Sequence, residues 1–97
     1  MSDSLLSSAE IDQQLAKTPS WKIVNGEITR TFALADFRAA LALVNKVGEL
    51  AEAAGHHPDI DIRYNKVRLA LVTHSAGGLT KKDFNLAAQI DSLGHVA

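Results

Sequence analysis

The sequence predicts an α+β fold: a two-layer sandwich whose four-stranded antiparallel sheet is covered on one face by helices, in the order α-β-β-α-β-β-α. Three observations predict it. Two stretches of apolar–polar alternation, each broken by a two-residue turn, read as hairpins; a long stretch of helical period separates them; and a shorter helical pattern stands at either end. Each hairpin has one greasy and one wet face, the pattern of a sheet covered on one side only.

The elements follow in order. Ser8-Ala9-Glu10-Ile11 starts a helix with Ser8 as its cap, and Ile11 and Leu15 lie one turn apart. That helix stops before Pro19, whose ring pushes Thr18 out of the α region. From Trp21 to Phe32 the chain forms a hairpin about Asn25-Gly26, two residues that tolerate the positive φ of a type I′ turn. The two-residue loop sets Ile23 opposite Ile28, puts Trp21, Ile23, Ile28 and Phe32 on one face, and leaves Lys22, Glu27, Thr29 and Thr31 on the other. From Asp36 to Ala54 the period is helical: Phe37, Leu41, Val44, Gly48 and Ala51 form one stripe, and Ala40, Leu43, Val47, Leu50 and Ala54 a second beside it. So wide an apolar arc exceeds what one sheet face needs; a deeply buried central helix is one reading, and packing of the second stripe against another subunit is the preferred one. Gly55 closes this helix, and Pro58 extends His57. The second hairpin turns at Tyr64-Asn65, with Asp61 opposite Arg68. Gly77-Gly78 breaks the chain, and Thr80 opens a last helix bearing Leu86, Ala87, Ile90 and Leu93 on one face.

Length and composition bound the function. Ninety-seven residues, 46% hydrophobic and 22% charged, make one globular domain spanning 1–97. The longest apolar run, Ala39 to Val44, is six residues and excludes a membrane helix. Ten basic against eleven acidic residues leave no basic stripe for nucleic acid. Cysteine is absent, so disulfides, thiolate nucleophiles and zinc–sulfur sites are all excluded. A core this small must manage without staples, and oligomerisation is one remaining way to bury more surface. The first residues lack a secretory pattern, which places the expected protein in the cytoplasm.

The residues with chemistry gather at one end of the second hairpin. His56-His57 stands at its entrance and His74 at its exit, so folding makes neighbours of three imidazoles. Glu52 lies one helical turn before His56, and Asp83 falls in the first turn of the last helix. Imidazoles change charge near neutral pH, so three of them supply both a proton donor and an acceptor, as loss of water requires. No nucleophile stands out: Ser75 has no glycine-framed elbow. Each residue also has a duller reading. His57 is turn chemistry before a proline, Glu52 is a solvated helix face, Asp83 three residues after Thr80 is a capping box, and His95 is a surface residue. Zinc ligation is the weaker reading of the three histidines, because adjacent extended residues point in opposing directions.

Glu52, three spacers, His56-His57-Pro58, five spacers, Tyr64, nine spacers, His74, and Asp83 after eight more resemble the signature of the pterin-4a-carbinolamine dehydratases. Arg63-Tyr64-Asn65-Lys66-Val67, Gly78-Leu79-Thr80-Lys81-Lys82-Asp83-Phe84 and Trp21 extend the resemblance over nearly the whole chain. It implies a hydro-lyase without cofactor or metal, whose substrate is the 4a-hydroxytetrahydropterin released by aromatic amino-acid hydroxylases and whose product is quinonoid dihydropterin, in tetrahydrobiopterin recycling. It further implies catalysis by His56, His57 and His74, and a pterin pocket of Gly55, His56, His57, Val72, Thr73, His74 and Ser75, with Glu52 and Asp83 tuning the imidazoles. The resemblance also implies a homodimer or homotetramer, formed partly through the long helix. Two positions depart from many members: Gly55 replaces an Asp, and Ile60 a Trp. The alternative expectation is a dimerisation or regulatory interaction module with a vestigial pterin site, and a zinc-dependent hydrolase is a third.

Overall fold

A computed structural model describes residues 4–93; His95 lies outside them. The first helix, α1, spans Ser8–Lys17. Its cap is Ser7 rather than the expected Ser8. The reason is the acid three residues on: the Ser7 hydroxyl accepts from the Glu10 amide at 3.2 Å, and the Ser7 amide donates to Glu10 Oε1 at 2.8 Å, a reciprocal capping box. The helix ends before Pro19, with Thr18 as its closing residue.

Strands β1 (Lys22–Val24) and β2 (Glu27–Ala33) meet at Asn25 and Gly26, whose φ values of +53° and +81° fit the type I′ turn. Ile23 pairs with Ile28 as the two-residue loop requires. Strands β3 (Asp59–Arg63) and β4 (Lys66–Leu71) form the second hairpin, with Asp61 opposite Arg68. All pairings are antiparallel, in the order β1-β2-β4-β3. The two central strands therefore supply the core face: Ile28 and Phe32 from β2, Val67, Leu69 and Leu71 from β4. Ile23 shares that face but remains 44% exposed, because three-residue β1 is an edge strand. Thr29, on the opposite face, is buried all the same; it is a small side chain in a central strand, paired with Ala70.

Helix α2 (Phe37–Ala54) begins at Asp36, whose carboxylate accepts from the Ala39 amide at 2.8 Å, and closes at Gly55, φ +64°. Its buried residues are Ala40, Leu43, Val47 and Ala51. This corrects the expected division of labour between the two stripes. Ala40, Leu43 and Val47 of the second stripe face the core, while Phe37 and Leu41 of the first are 48% and 41% exposed. Helix α3 (Lys81–Asp91) contacts α2 and buries Phe84, Leu86, Ala87 and Ile90, with Leu93 packed on the same cluster. Arg30 also falls on the core face of β2. Its guanidinium lies 4.1 Å from the Phe32 ring centre and pairs with Asp91 of α3, which also accepts from Trp21 Nε1 at 2.8 Å. Sheet and last helix are thereby tied through Asp91, at the C-terminal end of α3. Among the described residues, no helix is long and apolar enough to cross a membrane.

Candidate active site

Closure of α2 places the histidine pair. Gly55 turns left-handed, its amide reaching the Glu52 carbonyl at 3.2 Å, and the His56 amide reaches back to the Ala51 carbonyl at 3.1 Å. This is a Schellman closure, and it fixes the backbone of His56 against the end of the helix. The side chains of the pair then separate. His56 Nε2 lies 2.6 Å from Asp83 Oδ1, with its ring largely buried; His57 Nε2 lies 2.5 Å from Glu52 Oε2, and that ring is 60% exposed. Glu52 thus holds His57 and not His56, the residue one nominal turn ahead of it.

Asp83 is completely buried and uses both oxygens. Oδ2 accepts from the Thr80 amide and from the Thr73 hydroxyl, each at 2.9 Å, while Oδ1 faces His56. The capping box between Thr80 and Asp83 is present, so the structural and the functional reading of Asp83 hold together. Oxygens of Thr73 and Thr80 are 2.7 Å apart. Thr73 therefore directs its hydroxyl into this buried cluster and has no polar hydrogen left to offer a ligand.

His74 does not sit in a strand. Strand β4 ends at Leu71, and His74 opens a 3₁₀ turn, His74–Ala76, closed by Gly77 at φ +82°. The base of this turn is a bridge in which Thr73 and Gly78 exchange backbone hydrogen bonds at 3.1 and 3.3 Å. His74 is exposed, and among the described residues no hydrogen bond to its ring is formed. A cleft of about 280 Å³ lies between the two loops, lined by Gly55, His56, His57, Val72, Thr73, His74 and Ser75, with Lys82 as an eighth wall residue. Lys82 was not among the expected pocket residues, although it stands in the run Gly78 to Phe84 that carries the resemblance, beside Asp83 in the first turn of α3. Among the described residues, no group of three or more His, Asp or Glu is placed to hold a metal ion.

A helix-covered antiparallel sheet carries three imidazoles around one cleft, two of them backed by carboxylates, an arrangement able both to give and to take a proton. The chain belongs to the pterin 4 alpha carbinolamine dehydratase family, whose model matches residues 4–93. A Chloroflexus aurantiacus protein with the provisional name pterin-4-alpha-carbinolamine dehydratase is 68% identical over 88 residues, covering 91% of this chain and 95% of its own. A protein of the same name from Acidobacterium capsulatum is 60% identical, with 91% and 96% covered. Among solved structures, a transcriptional coactivator/pterin dehydratase from Brucella melitensis superimposes with a TM-score of 0.87 at 30% identity, over 93% of this chain and 98% of that one. A pterin dehydratase-like RuBisCO assembly factor of the alpha-carboxysome shares the fold at 22% identity, TM-score 0.65, over 80% and 93%.

Proposed function

We propose that this chain is a 4a-hydroxytetrahydropterin dehydratase acting through His56, His57 and His74. The carrying observation is that one cleft is walled by three imidazoles anchored differently, two on separate carboxylates and one on a turn. In the reaction, an imidazolium gives its proton to the hydroxyl on C4a, the C4a–O bond breaks, and water leaves. The N5 lone pair forms the C4a=N5 bond, and a neutral imidazole takes the N5 proton, so the protons balance and the product is quinonoid dihydropterin. Glu52 and Asp83 each hold one ring nitrogen, which orients the ring and leaves its other nitrogen for the substrate. Gly55, Val72 and Ser75 border the pterin, Thr73 lends only its apolar surface, and the pterin is substrate rather than cofactor.

The working form in this proposal is one domain over residues 1–97, a cytoplasmic homodimer or homotetramer serving an aromatic amino-acid hydroxylase in tetrahydrobiopterin recycling. The test couples purified protein to a hydroxylase reaction and follows quinonoid dihydropterin by absorbance. Dehydration faster than the spontaneous rate, in proportion to added protein, is expected; an unchanged rate overturns the reading. A second reading, an interaction module with a vestigial site, draws on the uncovered apolar residues of α2, Phe37 and Leu41. It predicts no acceleration and an intact assembly in the same preparation.

A further inference from the structure

We propose that Thr73, with Thr80 behind it, is a positioning residue that determines which nitrogen of His56 carries the proton; its effect on turnover rests on the dehydratase reading above. The argument is a count of hydrogens. A threonine hydroxyl has one proton to donate. That of Thr73 goes to Asp83 Oδ2 at 2.9 Å, so in the 2.7 Å contact between the two hydroxyls Thr80 is the donor and Thr73 the acceptor. The Thr80 oxygen in turn accepts the Lys82 amide at 3.2 Å, and the Thr80 amide donates to Asp83 Oδ2 at 2.9 Å. The chain from the Lys82 amide through the Thr80 and Thr73 hydroxyls thus ends on Asp83 Oδ2, which the Thr80 amide also reaches. Asp83, Thr80 and Thr73 are each at least nine-tenths buried, and no buried side-chain N or O atom among the described residues lacks a partner.

The direction of this chain has a consequence at its far end. As a carboxylate Asp83 can only accept, so its Oδ1, 2.6 Å from His56, takes the proton that Nε2 carries. Neutral His56 then has a single tautomer, with the lone pair on Nδ1 as the base. Thr73 also immediately precedes His74 and forms the backbone bridge with Gly78. One residue therefore sets the proton address of His56 and the base of the turn that carries His74.

The test begins with the wild-type protein, in long-range proton–nitrogen NMR spectra of the histidine rings at a pH where His56 is neutral and with no substrate present. Protonated Nε2 and bare Nδ1 are expected; a proton on Nδ1 overturns the proposal whatever the enzyme's activity. Thr73→Val keeps the shape and removes the donor, and Thr73→Ser restores it. For Thr73→Val the expected result is a mixture of His56 tautomers and a fall in kcat of about ten-fold or more, out of the ~10²–10⁴ a positioned acid or base supplies, with KM little changed. Thr73→Ser is expected to recover both signals. Unchanged His56 ring signals in Thr73→Val overturn the proposal, and so does a loss of rate that Thr73→Ser does not repair. Should Thr73→Val fail to fold, the wild-type spectrum and the Thr73→Ser rate decide. Absence of dehydration in every form removes the dehydratase reading and leaves the tautomer result to stand or fall by itself.

Discussion

The two oxygens of Asp83 have separate partners, one closing the capping box of α3 and the other holding His56. An amide cannot serve both. In Asp83→Asn the oxygen is needed where Thr73 and Thr80 donate, so the amide nitrogen turns to His56 and drives the ring proton to the other nitrogen. The expected cost is about 1–3 kcal/mol of stability, read from a urea midpoint, with turnover lower by ~10² or more. Wild-type turnover in this variant would remove Asp83 from the mechanism. His74 tests the opposite case. It is exposed on its 3₁₀ turn, so His74→Ala should leave stability within about 0.5 kcal/mol while turnover falls by ~10²–10⁴. Full activity would show that the acid–base set excludes it. At this scale the sequence yielded the three imidazoles and both carboxylates but not their pairing. Glu52 and His56 have a spacing that brings side chains together only along an unbroken helix, and Gly55 breaks it, delivering His57 to Glu52 instead. Asp83 reaches His56 across 27 residues, beyond any local rule.

Helix α1 has no fully buried residue; Ile11 and Leu15 rest on the edge of the core, and the Ser7–Glu10 capping box closes its first turn. The Ser7 amide, and after it the Ser7 hydroxyl, hold the Glu10 carboxyl below its ordinary value of 4.5. A carboxyl lowered by folding contributes in full above its unfolded pKa, and the contribution is lost as pH falls through the folded one. Acidification below about 4.5 should therefore loosen residues 8–11, seen as a loss of helical backbone chemical shifts. Glu10→Gln should remove that dependence; an identical acid transition in Glu10→Gln would assign the effect elsewhere. Elements were legible where their signals are local. Asn25-Gly26 set a hairpin register because both residues accept positive φ, and the helices showed their period. At the second turn the left-handed residue is Tyr64, φ +53°, while Asn65 is tied through side chain and carbonyl to Leu34, each bond 2.8 Å. Two adjacent serines stand where this helix begins, and Glu10, three residues after Ser7, selects Ser7 as the cap. Sheet order was not legible, because pairing of β2 with β4 joins segments separated by the whole of α2.

On the whole-molecule scale, the surplus apolar arc of α2 was legible and its orientation was not, since helical period gives two adjacent stripes without saying which the sheet and α3 cover. Packing settles it. Ala40, Leu43 and Val47 go inward, and Phe37 and Leu41 remain outside, with Val44 and Gly48 continuing their line to a groove shared with Ile60 of edge strand β3. A subunit contact, if it uses α2, uses this stripe. The same groove reaches Glu52, whose carboxylate holds His57, so the proposed assembly and the proposed site have a wall in common. Leu41→Glu places a charge on the exposed stripe, where it disturbs no core contact; its stability should change by less than about 0.5 kcal/mol as long as the subunit stands alone. In an oligomer built on α2 the charge is instead desolvated, and the complex should dissociate toward the monomer mass in light scattering. Leu43→Glu, two residues away but fully inside, should unfold the chain. A wild-type monomer at micromolar concentration, or an oligomer indifferent to Leu41→Glu, would show that the exposed line of α2 is not the surface through which copies of this chain meet.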